Sequence, residues 1–465
     1  MFSVAGIIVQ TACANEIMKA ALTSANPSPP GPKSLLIGLF PRRDPLSFMS
    51  NLAAQYGDFV FFRRGAERFY LISNPDYIKD MLLTSARKFA KGRALERSRA
   101  LLGEGLLTSE GDLHLRQRRL IQPAFHRQHI AAYGESMVQF SLRLRERWKP
   151  AQEVDIHEEM TALTLAIVGK TLFDADVESD ASDVMEVITD AFSLFYLTMM
   201  PFSEVLEKIP FSPVRKLHNA RARLDKVIYR IIAERRNSGE DRGDLLSMLL
   251  HAQDEESGGS RMSDEQLRDE CLTLFLAGHE TTANLLTWTW YLLAQHPDVE
   301  DRLHQEIDTV LGGRLPALDD VEKLTYTEKV IAETLRLYPP AWIVGRRAIE
   351  DHQFGPYRIP RRSLIAASQW IVHHDSRHFP EPFRFDPERW TPEARAARHK
   401  FSYFPFAAGP RQCIGEGFAW AEAALVLVTV AQKWKLELVP GQSIGVKPVI
   451  TLRPNGPVKM IVRPR

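Results

Sequence analysis

The sequence predicts a mainly α-helical protein, in which a large helical domain with a long central helix carries a small β-rich lobe. Helical periodicity dominates residues 75–340. Short runs rich in aromatic and aliphatic residues precede this stretch, at residues 59–62 and 69–72. Extended segments return after it, at residues 341–368 and again from Leu436 onward. The β-rich regions therefore flank the helical body in sequence, which favours one domain over two independent ones.

The composition is that of an ordinary globular protein. The 465 residues include 59 Lys and Arg against 58 Asp and Glu, a formal net charge of +1. Without a strong positive field we expect no nucleic-acid partner. The three cysteines, Cys13, Cys271 and Cys413, are too few and too scattered for a disulfide framework. A reducing compartment, the cytoplasm, is therefore the expected location.

Residues 1–32 are expected to form an N-terminal extension, followed by a single domain over residues 33–465. Residues 1–15 carry no charge, but polar residues ending in Glu16 stop the apolar run short of the about 20 residues that span a membrane. Residues 27–32, Pro-Ser-Pro-Pro-Gly-Pro, predict a stiff extended segment. We expect a soluble protein, with weak peripheral membrane contact as the alternative.

The long central helix begins at a capping box formed by Ser263 and Gln266. Its pattern runs to about Gln295, which gives a length of about 45–50 Å at 1.5 Å per residue. Residues 281–297 carry no formal charge, so the helix is expected to be buried. Gly278 in its interior costs about 1 kcal/mol relative to Ala. Either the close approach of a flat ligand or tight helix packing would explain this glycine.

One cysteine lies in a glycine-punctuated loop near the C-terminus. Residues 406–415 read Phe-Ala-Ala-Gly-Pro-Arg-Gln-Cys-Ile-Gly, and an apolar helix is expected to start near Gly417. Gly409 and Gly415 permit backbone angles and close approaches that a side chain would forbid. The positive end of the helix would lower the pKa of the Cys413 thiol, and a thiolate is a good ligand for iron. The alternative is that Cys413 is a small buried apolar residue.

The complete pattern F-x-x-G-x-R-x-C-x-G in this loop resembles the haem-binding loop of the cytochrome P-450 family. The resemblance implies the fold of that family and a haem b cofactor (iron protoporphyrin IX) with Cys413 as the axial ligand of its iron. It further implies that Arg411 binds a haem propionate and that Phe406 packs against the proximal side of the porphyrin. The motifs follow one another in the order of the family along nearly the whole chain.

A second motif lies in the middle of the central helix, at residues 277–282, Ala-Gly-His-Glu-Thr-Thr. A buried carboxylate there is costly unless it is paired or used. The motif resembles the oxygen-activating segment of the same family. That resemblance implies that Thr281 hydrogen-bonds oxygen bound at the iron and that Glu280 relays protons from solvent, with Thr282 in support. His279 is expected to be a packing or surface residue.

A third motif concerns the scaffold around the cysteine. Glu333 and Arg336 lie three residues apart on a predicted helix and can therefore pair. With the Leu-Tyr-Pro-Pro that follows, E-x-x-R resembles the family motif that forms a buried network with a later arginine. That arginine would be Arg389, and Trp390 stands where the family usually has Phe. The expected role of this set is structural.

Further basic residues are expected to hold the haem propionates. His114 and Arg118 lie four residues apart on a predicted helix and could jointly bond one anionic group. By resemblance, Arg346 occupies a third propionate-binding position. Arg347 competes for this assignment, because a shift of one residue in the alignment would exchange the two.

Apolar residues are expected to line the substrate pocket. By resemblance, six positions do so: Ala277, Trp342, Ile343, Val344, Val449 and Ile450. Residues 192–213 add aromatic residues and methionines, which suit an adaptable access lid but equally a buried helix pair. A hydrophobic substrate is therefore expected, such as a fatty acid, terpenoid, carotenoid or polyketide.

The resemblance as a whole implies a haem-thiolate monooxygenase, which would insert one oxygen atom of O2 into a C–H bond of such a substrate. An isomerase or peroxygenase that acts on peroxides without a reductase is the alternative. Glu280 and Thr281 count against it, because such enzymes often lack this pair. A haem sensor without turnover would leave the oxygen-activating segment unexplained.

Electrons are expected to come from a separate protein, because no Gly-rich flavin or nicotinamide motif fits in the remaining sequence. A ferredoxin or flavodoxin-type donor with its NAD(P)H reductase is the expected partner. Five basic residues could form a face that steers such an acidic donor: Arg116, Arg119, Arg395, Arg398 and Lys400. The protein is expected to act as a monomer.

Overall fold

A computed structural model describes residues 27–33, 44–174, 212–252 and 261–465. The expected apolar run of residues 1–15 lies outside these described residues. So does the expected access lid of residues 192–213, as far as residue 211. The α-helices of the described part are α1 (Pro45–Tyr56), α2 (Pro75–Lys79), α3 (Arg93–Leu102), α4 (Gly111–Ile121), α5 (Arg127–Arg147), α6 (Ile156–Phe173), α7 (Ser212–Ser238), α8 (Leu245–His251), α9 (Asp264–Leu293), α10 (Pro297–Leu311), α11 (Leu318–Val321), α12 (Thr325–Leu337), α13 (Gln369–His373), α14 (Pro392–Ala397) and α15 (Glu416–Ala431).

The strands of the described residues form four sheets, of five, three, two and two strands. They are β1 (Phe59–Arg64), β2 (Glu67–Ile72), β3 (Phe89–Lys91), β4 (Glu153–Asp155), β5 (Val344–Ala348), β6 (His352–Phe354), β7 (Tyr357–Ile359), β8 (Leu364–Ala367), β9 (Trp434–Leu438), β10 (Val446–Pro448), β11 (Leu452–Pro454) and β12 (Lys459–Pro464). The mainly helical class with a small β lobe is confirmed. The three-residue strands β3 and β4 were not expected, because so short a run shows no alternation of its own.

The larger sheet has five strands in the order β1-β2-β8-β5-β3. Only β2 and β8 run parallel; the other neighbours are antiparallel. In β5, Arg346 pairs with Ile365 and Arg347 with Leu364 of β8. Strand β3 pairs with the other edge of β5 and places Lys91 opposite Arg346. The sheet therefore brings cations from two distant parts of the chain together.

The central helix α9 starts and ends as the sequence predicts. Ser263 accepts the backbone N–H of Gln266 and the Gln266 side chain returns to the N–H of Ser263, so the capping box is present. The helix packs along α6. At their contact, a Cβ on Gly278 would lie 3.0 Å from Val168 Cγ2, so helix packing accounts for this glycine.

Two groups of buried side chains hold the molecule together. The helical core is built around α5, α6, α9 and α15, and separate apolar clusters fill the β lobe. Helix α15 packs along α5 and also touches α9. Since the cysteine loop leads directly into α15, this packing fixes the loop relative to the central helix.

Candidate functional site

The loop that carries Cys413 is shaped by its own backbone. The N–H of Cys413 donates to the carbonyl of Phe406 at 3.0 Å. Gly409 has φ +71°, and a Cβ there would lie 2.1 Å from the carbonyl oxygen of Leu82, so this position requires glycine. Gly415 does not meet the expectation, because its φ is −90° and its nearest neighbour would be the ring of Phe125 at 3.6 Å.

The thiol of Cys413 is exposed on one side, yet protein atoms surround it densely. Burial raises the pKa of this thiol to about 11, while the backbone N–H of Gly415 opposes the shift. The expectation of a lowered pKa is therefore wrong for the protein alone, because desolvation outweighs the N-terminus of α15. A coordinated metal ion would reverse the balance, since it deprotonates the thiol that binds it.

The middle of α9 also opens onto space. Ala277 is exposed and Gly278 and Thr281 are half-buried, although almost all the other residues of this helix from Leu267 to Leu293 are buried. The hydroxyl of Thr281 donates to the carbonyl of Ala277 at 2.9 Å. His279 is buried instead, and its Nδ1 lies 2.8 Å from the carbonyl oxygen of Phe275.

Glu280 is 4% exposed and is held by the C-terminal part of the chain. Its Oε1 accepts from Arg453 Nε at 2.6 Å and from the hydroxyl of Thr451. Asn284, one turn further along α9, donates to the same hydroxyl at 3.3 Å. Among the described residues Glu280 Oε2 has no hydrogen-bond partner. Sequence reasoning missed Thr451 and Arg453, which lie more than 170 residues away and carry no local motif.

The neighbours Arg346 and Arg347 point to opposite sides of β5. Arg347 donates from Nε and Nη2 to Glu96 at 2.6 and 2.7 Å. Arg346 is 4% exposed, and its one recorded bond is from Nη1 to the carbonyl of Gly345 at 3.0 Å. Burial lowers the pKa of Arg346 to about 10, with the charge of Arg411 adding to the shift. Arg346 is thus a buried cation without a carboxylate bonded to it in the described part of the chain.

A further buried cation, Lys91, was missed from the sequence. Its Nζ donates to the carbonyls of Leu106 and Ser109 at 2.7 and 2.5 Å, and burial lowers its pKa to about 7. The spacing of β3 and β5 could not reveal it, because their pairing joins segments about 250 residues apart. Arg411 lies nearby and donates from Nη2 to Glu110 Oε2 at 2.6 Å.

His114 and Arg118, the pair on α4 that is expected to bind a propionate, differ in their burial and in their contacts. His114 is 5% exposed, and burial lowers its pKa to about 4, helped by the charges of Lys91 and Arg411. It is therefore neutral at pH 7. Arg118 donates from Nη1 to the carbonyl of Gln412 at 2.8 Å, directly before the cysteine.

These residues fit a haem group. Cys413 offers a thiol that is open on one side, and Ala277 opens the central helix. Arg346 and Lys91 are buried cations, and the buried Nε of Arg411 has no hydrogen-bond partner among the described residues. A dianionic edge such as the two propionates of haem would satisfy such cations. Phe406 is half-buried and packs 6.2 Å from the ring of Trp420.

The scaffold pair is fully buried. Arg336 donates from Nε and Nη2 to the two carboxylate oxygens of Glu333, at 2.8 and 2.7 Å, and both side chains are 0% exposed. Arg389 Nε lies 3.3 Å from Glu333 Oε1. The indole N–H of Trp390 donates to Glu333 Oε2 at 2.9 Å. A phenylalanine at position 390 could not make this last bond.

The network reaches the cysteine loop through His373. Arg336 donates from Nη1 to the carbonyl of His373 at 2.9 Å. Nε2 of His373 then accepts the backbone N–H of Phe404 at 3.1 Å. Burial holds the pKa of His373 well below its usual range, so the ring stays neutral and can accept. This chain of contacts ties α12 to the start of the loop that holds Cys413.

The expected pocket residues divide into two kinds. Ile343, Val344 and Val449 are half-buried and Ile450 is 36% exposed. Trp342 corrects the expectation, because its ring belongs to the core of the β lobe and its N–H donates to the carbonyl of Val449 at 3.1 Å. It supports the segment that carries Val449 instead of lining open space.

The proposed basic face is also smaller than expected. Arg398 is half-buried, with its guanidinium 4.4 Å from the centre of the Phe379 ring and 4.9 Å from that of Trp390. Arg395 pairs with Glu328 at 2.8 Å. Arg116 and Arg119 are part of α4, and Lys400 is exposed. Arg398 therefore serves packing, and the face loses one of its cations.

In the described ranges, every helix is too short or too polar to cross a membrane.

Comparisons with known proteins agree in family. A family model described as Cytochrome P-450 matches residues 27–461. The chain is 39% identical to "Cyclooctatin synthase" of Streptomyces melanosporofaciens over 425 residues, which are 91% of this chain and 92% of that protein. It is 38% identical to "Cyclooctat-9-en-7-ol 5-monooxygenase" of the same organism over 427 residues, with the same shares of 91% and 92%.

Two further likenesses extend the comparison. "Pentalenene oxygenase" of Streptomyces avermitilis is 35% identical over 405 residues, 86% of this chain and 89% of that protein. The crystal structure of the cytochrome P450DA heme domain superposes with a TM-score of 0.83 at 29% identity, covering 95% of this chain and 98% of the other. Sequence and fold thus agree over nearly the full length of each chain.

Proposed function

Because the chain belongs to the cytochrome P-450 family and is a monooxygenase of that family, we propose that it hydroxylates a cyclic terpenoid with O2 as the oxygen source. The observation that carries the substrate class is the 39% identity to cyclooctatin synthase over 91% of the chain. A cyclooctat-9-en-7-ol monooxygenase and a pentalenene oxygenase, at 38% and 35% identity, support the same class. We therefore prefer a cyclic terpenoid to a fatty acid, a carotenoid or a polyketide as the substrate.

The proposed cofactor is haem b, and the given sequence has no C-x-x-C-H segment of the kind that attaches haem covalently. When bound, haem supplies the binding and reduction of O2. Cys413 would be the axial thiolate and Phe406 would pack beside it. Arg346, Arg411 and Arg118 would hold the propionates by charge, and the neutral His114 would add a hydrogen bond. Arg346 is favoured over Arg347, since Arg347 already binds Glu96 on the other side of β5.

Proton handling falls to Glu280 and Thr281 on the exposed stretch of α9. The bonds from Arg453 and Thr451 hold one oxygen of Glu280 and leave Oε2 to take up or release a proton. The hydroxyl of Thr281 sits on the open side of the helix, where it can donate to or accept from a bound reactant. These two residues would therefore deliver protons without admitting bulk water.

The substrate would bind by apolar contact. Ala277 on α9, with Ile343, Val344, Val449 and Ile450 on the β side, offers no charged group to a ligand. Such a surface suits a hydrocarbon skeleton and leaves orientation to shape.

Electrons would come from a ferredoxin or flavodoxin-type donor with its NAD(P)H reductase, and the single domain over residues 33–465 would act as a monomer. The remaining cations of the basic face, Arg116, Arg119, Arg395 and Lys400, would steer the acidic donor.

Reconstitution tests the substrate class directly. The purified protein, a surrogate ferredoxin with its reductase, NADPH and 18O2 are mixed with three panels: cyclic terpenoid hydrocarbons and alcohols, fatty acids, and carotenoids. We expect a product carrying one 18O atom from the terpenoid panel alone. Labelled product only from another panel overturns the terpenoid assignment. Reaction with a peroxide but not with O2 and NADPH would instead indicate a peroxygenase or isomerase.

A further inference from the structure

Glu110 is an acid among the cations that face the haem-binding space. It immediately precedes α4, and its side chain is 26% exposed. Oε2 accepts from Arg411 Nη2 at 2.6 Å, and Oε1 accepts the backbone N–H of Lys91 in β3. Glu110 therefore joins the cysteine loop to the edge of the five-stranded sheet.

The charges around this carboxylate are unbalanced. The negative charge of Glu110 raises the pKa of Lys91 and that of Arg346, whereas the positive charge of Arg411 lowers both. The other acid that acts on Lys91 is Glu270, but burial raises the pKa of Glu270 to about 8, so this carboxyl is mostly neutral at pH 7. His114 is neutral as well. Glu110 is thus the main negative charge beside Arg346, Arg411 and the partly protonated Lys91 in the described part of the chain.

The bond from Arg411 to Glu110 helps to fix the position of the arginine side chain. Nη1 of Arg411 also donates to the carbonyl of Ala86, at 3.3 Å, so the guanidinium is held at both ends. Its Nε stays buried without a hydrogen-bond partner among the described residues. The arginine is therefore fixed before any anion arrives, with one donor still available for it.

We propose that Glu110 is a positioning residue that acts as the internal counter-ion of the haem clamp. It holds Arg411 and β3 in place in the haem-free protein, and it remains as a third carboxylate beside the two propionates once haem is bound. This role rests on the propionate assignments proposed above, but not on the identity of the substrate.

Two consequences follow from a fixed negative charge in this place. Without it, the cations of the haem-free protein repel one another unopposed, so the fold loses stability before haem binds. With haem bound, a negative charge among the residues that would hold it would oppose the uptake of an electron. Removing the charge of Glu110 should therefore move the reduction potential to a more positive value.

The test compares Glu110→Gln, which keeps the shape but loses the charge, with Glu110→Asp, which keeps the charge. The control is Glu104→Gln, an exposed acid of the preceding loop whose pair with Arg99 spans 3.5 Å at the surface. We measure the midpoint of thermal unfolding of the haem-free protein and the reduction potential of the haem-bound protein by spectroelectrochemistry.

We expect E110Q alone to lower the midpoint of the haem-free protein and to shift the potential to a more positive value. Glu110→Asp should leave the potential close to that of the wild type. An unchanged potential in E110Q, or one that moves equally in Glu104→Gln, overturns the proposal. If E110Q yields no haem-bound protein, the double variant with Arg411→Gln should regain thermal stability in the haem-free state, and failure to regain it contradicts the pairing.

The test is separable from the proposed function. A Soret spectrum with carbon monoxide on the same samples reports thiolate-bound haem independently of any substrate. Failure of terpenoid turnover leaves these measurements valid, whereas a wild type that binds no haem contradicts the haem assignment itself.

Discussion

Arg453 Nε and Glu280 Oε1 lie 2.6 Å apart, which joins the C-terminal hairpin to the catalytic stretch of the central helix. The side chains are 20% and 5% exposed, so water screens this ion pair only partly. The pair fixes which oxygen of Glu280 is engaged and thereby gives the hairpin β10-β11 a part in the proton delivery proposed for Glu280.

Arg453→Gln should weaken coupling between electron use and product. The variant removes the counter-ion of the buried Glu280 carboxylate and leaves its Oε1 without the bond from Arg453, so product per NADPH should fall. Glu280→Gln should reduce product formation by about 100-fold, the lower end of the usual contribution of a proton-transfer group. Arg463→Gln on β12, which breaks an exposed pair with Glu437 of β9, is the control and should change neither quantity. Equal coupling for Arg453→Gln and the wild type would contradict the relay.

Arg346 and Arg347 provide a matched pair for the haem clamp. Arg346→Gln should weaken haem affinity by about 10- to 100-fold, because a buried charge-assisted bond contributes about 1.5–3 kcal/mol. Arg347→Gln should cost at most about 1 kcal/mol of stability, since it breaks a partly exposed pair with Glu96. Titration of the haem-free variants with haem, followed at the Soret band, measures both. The reverse order of affinities would assign the propionate to Arg347.

Trp390→Phe should lower the free energy of unfolding by more than the loss of ring area explains. The substitution removes the N–H that donates to the buried Glu333 and leaves that carboxylate short of one bond, at a cost of about 1–3 kcal/mol. Trp290→Phe is the matched control. Its indole N–H is buried and has no hydrogen-bond partner within the described residues, so only the packing cost should remain. Denaturant unfolding of both variants gives the difference, and equal losses would mean that the Trp390 bond contributes nothing.

Glu422 in α15 predicts a pH-dependent stability. The side chain is 0% exposed, and burial raises its pKa to about 8, with Thr282 opposing the shift. An acid whose folded pKa exceeds the unfolded value of about 4.3 destabilises the fold as pH rises through the folded value. Glu422→Gln should therefore match the wild type at pH 5 and exceed it at pH 9 by on the order of a few kcal/mol.

Thermal unfolding across this pH range measures that gap. Glu393→Gln, an exposed acid on α14, should show no gap at either pH. A difference between Glu422→Gln and the wild type that does not grow with pH would show that Glu422 is already charged in the folded protein.

The sequence was sufficient where the signal is local. The capping box at Ser263 located the start of α9, and the aromatic and aliphatic runs located β1 and β2. Arg346 and Arg347 show the limit of such reasoning. Successive residues of a strand point to opposite faces, so either one could face the haem, and only the orientation of β5 within the sheet decides. The partner Arg453 was out of reach for a similar reason, because no local pattern links it to Glu280.

The electrostatics of the site could not be predicted from the sequence either. The helix N-terminus beside Cys413 suggested a lowered pKa of the thiol, but the protein atoms around the thiol desolvate it, and this penalty depends on the packing of the whole molecule. Trp390 was recognised as a departure from the family pattern, yet its bond to Glu333 depends on a side-chain direction that residue identity alone does not specify.

The contact between Gly278 and Val168 sets a boundary for redesign of the substrate range. With only 3.0 Å between a Cβ on Gly278 and Val168 Cγ2, a larger residue at 278 would crowd the contact between α6 and α9, close to Glu280 and Thr281. Ala277, one residue earlier, points into open space. Mutant libraries that aim to shrink or reshape the cavity should therefore vary position 277 and leave 278 as glycine.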